Sequence, residues 1–460
     1  WEPFTYNSAD FFDPQWMFGV KNGFDIVIGN PPYLESRHPS FSNELKILYQ
    51  KSCENRWNQD AQFITRGADL LVYFLEASIS FINSSGIIVL ITQNAWLDTE
   101  YGIKAQKFLI NHTNVISIID SQYRYFPSGE GPNINTIISV FTGNAPTISN
   151  KITFMTLKDS IDRIFFNEID QPSNGNDQYS SISFAYSDGL ISKYKWGILQ
   201  KSDSFVLRIL KTLEEKAMPL NKITLPGNKF YYGQGLNLLK SYYIPIEIIK
   251  KYNIPPEHCI PILYSGSPYL LISSDWYLVK KSKISKKTAN YLMNEGFVLF
   301  DENSTRKKPP LLILPRGISR HYCSINNINA HSLSGVDVYA FDDKNIENII
   351  VSLWLFFNSS IFWLLREISG RKNLGGGLLK SEAADLEQFP VYMKLNMSMA
   401  DIPESFNRDT YDTLSEIYTE EHKQIDNLIF THLSMTKEDQ LQCIDYLIKS
   451  IEFRDLRSKT

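Results

Sequence analysis

The segment "FDIVIGNPPYLE", Phe24 to Glu35, is the strongest local constraint in the chain. Phe24 to Ile28 form an apolar, β-branched run that reads as a buried strand. Gly29, Asn30, Pro31, Pro32 and Tyr33 end it abruptly. Adjacent prolines fix φ and remove two backbone donors, so neither a helix nor a sheet ladder continues through them. The strand therefore gives way to a stiff turn bearing a side-chain amide, a free carbonyl and an aromatic ring.

The flanking sequence tells what kind of strand this is. "GADLLVYFLEASISFI" (Gly67 to Ile82) and "YGIKAQKFLINH" have helical length and period, while "GIIVLITQ", "VISIID" and "NINTIISVFTG" read as strands. Continuously apolar strands separated by helices predict an α/β fold with a mostly parallel sheet covered on both faces. This first domain is expected over residues 1–150. Polar, turn-rich stretches such as "QPSNGNDQYSSIS" suggest a linker over 151–195. An aromatic and glycine-rich mixed α+β domain is expected over 196–392. A helical tail over 393–460, packed on that domain, includes "EDQLQCIDYLIKSIEF" with Leu441, Ile444, Leu447 and Ile451 at helical spacing.

Bulk properties narrow the function classes. At 460 residues the chain has room for several domains. A net charge of -4 argues against a uniformly basic nucleic-acid coat but leaves room for a local basic groove. Cys53, Cys259, Cys323 and Cys443 are too scattered for a metal knuckle and are expected as inert thiols in a reduced, cytoplasmic compartment. No histidine pairing suggests a metal. Asn358, Ser359 and Ser360 interrupt the most apolar stretch, Ile349 to Leu365, which favours buried helices over a membrane span. The chain begins at Trp1, so a longer parent polypeptide is expected.

In open α/β sheets ligands sit outside the carboxyl ends of the strands, where Asn30 to Tyr33 fall. The Asn30 side-chain carbonyl and the Pro31 backbone carbonyl are two acceptors able to grip an exocyclic NH₂, and the Tyr33 ring can stack on a base. Accepting both hydrogens draws the nitrogen lone pair out of conjugation and makes the amine a nucleophile by positioning and electrostatics. A buried strand that merely ends in a proline turn would show the same four residues.

"FDIVIGNPPY" resembles the catalytic motif of the amino-methylating DNA methyltransferases, specifically the adenine-N6 group with Asn-Pro-Pro-Tyr, as found in bacterial single-chain type II restriction-modification enzymes. The segments Gly67–Ile82, "GIIVLITQNAWL", "YGIKAQKFLI" and "YRYFPSGEGPNINTIISVF" resemble the elements that come after it there. The resemblance implies a partial Rossmann-like methyltransferase sheet followed by a target-recognition domain. It implies catalytic roles for Asn30, Pro31, Pro32 and Tyr33, with Phe126 as the second ring around a flipped-out adenine. Phe126 as a core ring before a turn is the plainer alternative. S-adenosylmethionine is the implied methyl donor, with Asp10, Asp69, Leu70 and Phe74 as weak candidates for its pocket. The family's glycine-rich donor turn has no counterpart before Phe24. We therefore expect feeble donor binding by this chain alone, and the missing N-terminal part of the same polypeptide as a partner.

Double-stranded DNA is the other implied partner. Lys280, Lys281, Lys283, Lys286, Lys287, Arg306, Lys307, Lys308, Arg316 and Arg320 form a local positive excess suited to phosphates, with arginines left to read guanine edges. A solvated lysine face would look alike. Arg371 and Lys372, beside three successive glycines, and "FYYGQGLN" resemble segments of target-recognition regions. The Glu-x-Lys tripeptides at 44–46, 214–216 and 421–423 lack the Pro-Asp partner of a nuclease site, which places any nuclease outside this chain. Cytosine-N4 methylation, by the same amine chemistry, and a DNA-binding specificity module without activity remain the alternatives.

Overall fold

The computed structural model describes residues 13–126, 134–161, 178–225, 228–302, 308–333, 335–340, 346–371, 378–387 and 389–459. The chain divides into two compact units, one within its first 203 residues and the other spanning Ser204–Asp455.

The first unit is built on a six-stranded sheet, with β1 (Phe24–Gly29), β2 (Ile82–Gln93), β3 (Asn114–Ser121), β4 (Thr136–Thr142), β5 (Lys151–Leu157) and β6 (Tyr179–Ala185) in the order β1-β2-β4-β3-β5-β6. The β1/β2 and β3/β5 pairs are parallel, and β2/β4, β3/β4 and β5/β6 are antiparallel. The expected mostly parallel sheet is thus a mixed one. Because β4 runs against both of its neighbours, β1, β2, β3 and β5 all point the same way, and their carboxyl ends share one edge.

Helices α1 (Pro14–Phe18), α2 (Asn43–Trp57), α3 (Leu70–Phe81) and α4 (Glu100–His112) flank these strands in sequence. α3 is buried along most of its circumference, from Leu70 to Ile79, which matches its nearly unbroken apolar sequence. Its one acidic residue, Glu76, is 1% exposed and ties α3 to α2. Glu76 accepts from Arg56 Nε and Nη2 at 2.5 and 2.6 Å, from Trp57 Nε1 at 2.7 Å and from the Cys53 thiol at 3.3 Å. Burial and that carboxylate push the Cys53 thiol up to about 12, so it is inert near neutrality. At the start of α4, a Cβ on Gly102 would lie 1.8 Å from the Trp96 carbonyl oxygen, so only glycine allows this approach.

Two expectations fail here. β1 was expected to be buried on both faces, yet among the described residues β2 is its one ladder partner, and Ile26 and Ile28 are 62% and 77% exposed. Residues 151–195 were expected as a linker, yet they supply β5 and β6. The ladder hydrogen bonds of these alternating strands override the polar composition between them. α5 (Leu190–Lys193) and α6 (Trp196–Gln200) continue the same unit: the fully buried Trp196 packs edge-on against Trp96 and Phe154.

Among its described residues the second unit holds two larger sheets and two two-stranded ones. One contains Ile244–Pro245, Trp276–Val279, Cys259–Leu263 and His331–Ser332; the larger one includes Leu312–Leu314, Val336–Ala340 and Asn228–Gln234. The apolar stretch considered for a membrane forms two buried helices, Glu347–Phe357 and Ser360–Ser369, bent by 64°. Among the described residues no single helix is long and apolar enough to cross a membrane. The tail joins this core: Asp426 accepts from the Ser360 backbone N–H and hydroxyl at 2.8 and 2.6 Å. In the helix Lys437–Lys459 the buried stripe runs through Cys443, Leu447 and Ile451, whereas Leu441, expected to face inward, is 61% exposed.

His321 sits at the centre of this unit, fully buried, stacked on Trp363 and 2.9 Å from Glu367, which also pairs with Arg454 at 3.0 Å. Its Nδ1 has no partner among the described residues, so a second ring proton would be buried without an acceptor. Burial therefore holds His321 neutral, with its pKa lowered to about 4, despite the nearby Glu367; Arg366 and Arg454 add to the lowering.

Two outcomes are expected. Glu76→Ala should lower stability by about 2 kcal/mol in urea unfolding, because Trp57 loses its buried acceptor while the part-exposed Arg56 returns to water. Since His321 is depressed in the fold, its contribution is complete above pH 6.5 and is lost as pH falls towards 4. Over that window wild type should lose up to about 1.4 kcal/mol per pH unit more than His321→Gln.

Candidate active site

The turn after β1 is placed at the carboxyl edge of the sheet, as its sequence predicts. Strand spacing of about 4.8 Å puts the ends of β1 and β3, three steps apart, roughly 14 Å from one another. Asn30 is exposed, Pro31 buried, Pro32 exposed and Tyr33 half-buried. The Tyr33 hydroxyl donates to Asn30 Oδ1 at 2.7 Å. The amide acceptor thus already holds a hydrogen bond within the motif, and an incoming amine would have to replace it. Burial also raises the Tyr33 pKa, which keeps the phenol a donor at neutral pH.

Beyond Tyr33 the turn is fastened at several points. Leu34 N–H donates to the Pro32 carbonyl at 2.9 Å, and Leu70 N–H donates to the Leu34 carbonyl at 3.1 Å. Lys46 Nζ reaches the Ser36 carbonyl, with its ammonium 5.0 Å from the Phe41 ring centre. Ser36 N–H donates to Asp69 Oδ1 at 2.8 Å. Asp69 is 8% exposed and also accepts from Gln93 Nε2 at 2.8 Å and Tyr101 OH at 2.6 Å. Burial raises its pKa, and these three donors work in the opposite direction.

Phe126 lies beyond β3 and is half-buried at the same edge of the sheet. Among the described residues no ring contact joins it to Tyr33. Of the donor-pocket candidates, Asp10 lies outside the described residues and Leu70 is buried in α3. Asp69 is engaged with the turn, and Phe74 is 39% exposed. One exposed ring does not make a pocket for a nucleoside and an amino acid, so the described residues do not fit the donor by themselves.

The basic residues divide in two. Arg316 forms a forked pair with Glu382 at 2.8 and 2.9 Å, and Arg320 donates to Ser267 Oγ and the Thr410 carbonyl. Arg371 pairs with buried Asp385 at 3.1 Å, and Lys280 donates to the Glu257 carbonyl at 2.9 Å. Each of these three arginines holds partners within the unit. Lys281, Lys283, Lys286 and Lys287 are exposed, and Lys308 is half-buried with interactions of its own. Lys286 and Lys287 occupy the first turn of a helix capped by Ser285, where the helix dipole disfavours cations. Arg306, Lys307 and Lys372 lie outside the described residues.

Sequence reasoning did not single out Gln93 and Tyr101, which both donate to Asp69, or Asn94. Asn94 comes directly after β2, is 8% exposed, and its Oδ1 has no partner among the described residues. Their place at the end of a strand and the start of a helix was the available signal.

Residues 4–126 match the Eco57I restriction-modification methylase family. Over 361 residues, 74% of this chain and 59% of the relative, the sequence is 23% identical to the type II methyltransferase M.BstVI of Geobacillus stearothermophilus. Over 224 residues, 45% of this chain and 19% of the relative, it is 23% identical to the type II restriction enzyme and methyltransferase RM.Eco57I of Escherichia coli. Among solved structures, the type IIL restriction-modification enzyme MmeI in complex with DNA aligns over 93% of this chain and 54% of that one, at 11% identity and a TM-score of 0.43. The chain spans less than two thirds of the length of each of these relatives. Its similarity is to the methyltransferases of restriction-modification systems, and the matched family segment contains the turn at Asn30–Tyr33.

Proposed function

We propose that this chain carries the amine-binding half of a site-specific, S-adenosylmethionine-dependent DNA adenine-N6 methyltransferase from a type II restriction-modification polypeptide. One observation carries the reading: Asn30 and Pro31 stand at the carboxyl edge of the sheet, on a proline-stiffened turn whose own tyrosine hydrogen-bonds the Asn30 acceptor. A flipped adenine would displace the Tyr33 hydroxyl and give its two N6 hydrogens to Asn30 Oδ1 and the Pro31 carbonyl. Its ring would stack on Tyr33, with Phe126 on the other side. Holding both hydrogens in acceptors pyramidalises N6 and localises its lone pair, which makes it nucleophilic without a strong base. Extrusion from the duplex is required because N6 is otherwise paired and stacked.

S-adenosylmethionine supplies the electrophilic methyl group when bound. The described residues do not assemble its pocket, so the rest of the polypeptide is the proposed holder. The second unit is the proposed DNA-recognition part, with Lys281, Lys283, Lys286 and Lys287 on phosphates. A cytoplasmic location fits this work on bacterial DNA.

The tests separate these statements. Unmodified DNA incubated with the polypeptide containing this chain, digested to nucleosides and analysed by mass spectrometry, should yield N6-methyladenine; N4-methylcytosine would move the assignment to cytosine. Asn30→Ala should reduce transfer by at least about 100-fold, and transfer equal to wild type would remove Asn30 from the chemistry. Tyr33→Ala should weaken binding of an extruded base by about 1–3 kcal/mol, whereas Tyr33→Phe keeps the ring and should keep most of that binding. Replacing the four exposed lysines by glutamine should flatten the salt dependence of DNA binding by about 0.9 for each phosphate no longer neutralised. Isothermal titration of this chain alone should show weak donor binding, and tight binding would overturn the division of the pocket.

A further inference from the structure

We infer that Asp69 is a positioning residue of this site: its carboxylate, turned away from the helix it begins, holds the Asn30–Ser36 turn against the ends of β2 and α4. The inference rests on the reading of that turn as the amine-binding element.

Asp69 occupies the N-cap position of α3, where aspartate is among the best capping residues, yet its side chain caps no N–H of that helix. Both oxygens point elsewhere. Oδ1 takes the Ser36 N–H, three residues beyond Tyr33, and Oδ2 takes the Gln93 side chain, at the last residue of β2, and the Tyr101 hydroxyl, in the first turn of α4. Four chain segments therefore meet at one buried carboxylate.

The turn depends on such an anchor because of its composition. Pro31 and Pro32 offer no backbone donors, and β1 is an edge strand with β2 as its ladder partner among the described residues. The prolines set the shape of the turn, but they cannot fix where that shape sits. Fastening comes from its far end: Asp69 on the Ser36 N–H, Lys46 on the Ser36 carbonyl, and the Leu70 N–H on the Leu34 carbonyl. Asp69 is the member of this set that also reaches β2 and α4. Removing it takes away the acceptor that the Ser36 N–H, Gln93 and Tyr101 share, and with it the fastening that links the turn to β2 and α4. Displacement by about 1 Å is enough to lower a positioned reaction by about 100-fold.

Asparagine has the same shape but one acceptor oxygen, and its NH₂ would face at least one of the three donors. In the polypeptide that contains this chain, Asp69→Asn is expected to lower the transfer rate at saturating DNA and donor by ten- to a hundred-fold. KM for DNA should stay within threefold. Amide exchange at Ser36 should rise at least tenfold, while amides within α3 exchange as in wild type. Tyr101→Phe, which leaves two of the three donors, should shift the same quantities less and in the same direction; it keeps the comparison available if Asp69→Asn does not fold. Wild-type Ser36 exchange together with a wild-type transfer rate would overturn the inference, and so would a general loss of protection throughout the unit. Asn30→Ala run alongside distinguishes the failures. If it transfers at the wild-type rate, the reading of the turn fails whatever Asp69 does; if it is inactive while Asp69→Asn is normal, the positioning role alone fails. Absence of transfer by every form, wild type included, removes the reading, and Ser36 exchange then decides the anchoring by itself.

Discussion

The β4 ladder is the constraint on which the site depends. By running antiparallel to both β2 and β3, it leaves those two strands, and β1 and β5 beside them, pointing in one direction. Four carboxyl ends then open on one edge, and the residues just beyond them, Asn30 to Tyr33, Gln93 and Asn94, and Gln122 to Phe126, are brought to a common boundary although nearly a hundred residues separate the first from the last.

A second theme is how charge is handled. In both units carboxylates are buried against specific donors: Glu76 beneath Arg56 and Trp57, Asp69 beneath Ser36, Gln93 and Tyr101, and Asp385 beneath Arg371. A buried carboxylate is tolerable only when its lone pairs are met, so each of these fixes the segments that meet it. Arg316 is held in a similar way, forked onto the part-exposed Glu382. An Arg already forked onto a carboxylate has its planar donor edge occupied, whereas the exposed lysines of 281–287 hold their charge in solvent, where a phosphate can approach.

Local pattern made much of this legible. The strand Phe24–Gly29, helix Leu70–Phe81, strand Asn114–Ser121 and helix Glu100–His112 stand where apolar periodicity placed them, because each is dominated by its own hydrogen bonds and one apolar face. The strands at 151–157 and 179–185 were missed because their stability comes from ladders to β3 and to each other, which no local window contains. Leu441 was misplaced for a related reason: two stripes share the helical period in that segment, and the partner surface selects the one through Cys443 and Leu447.

By itself the sequence determined the turn. Asn30, Pro31, Pro32 and Tyr33 after an apolar strand allow few backbone conformations, and the chemistry of two acceptors beside a ring is intrinsic to those residues. Tertiary structure alone decided what the turn is attached to. Asp69 falls in a helix-like segment as a weak candidate for the donor pocket, Gln93 ends a strand-like run and Tyr101 opens a helix-like one, and nothing in their spacing joins them. They meet because the sheet brings the end of β2 beside the turn, and because a buried carboxylate with four lone-pair sites is most stable where the most donors converge.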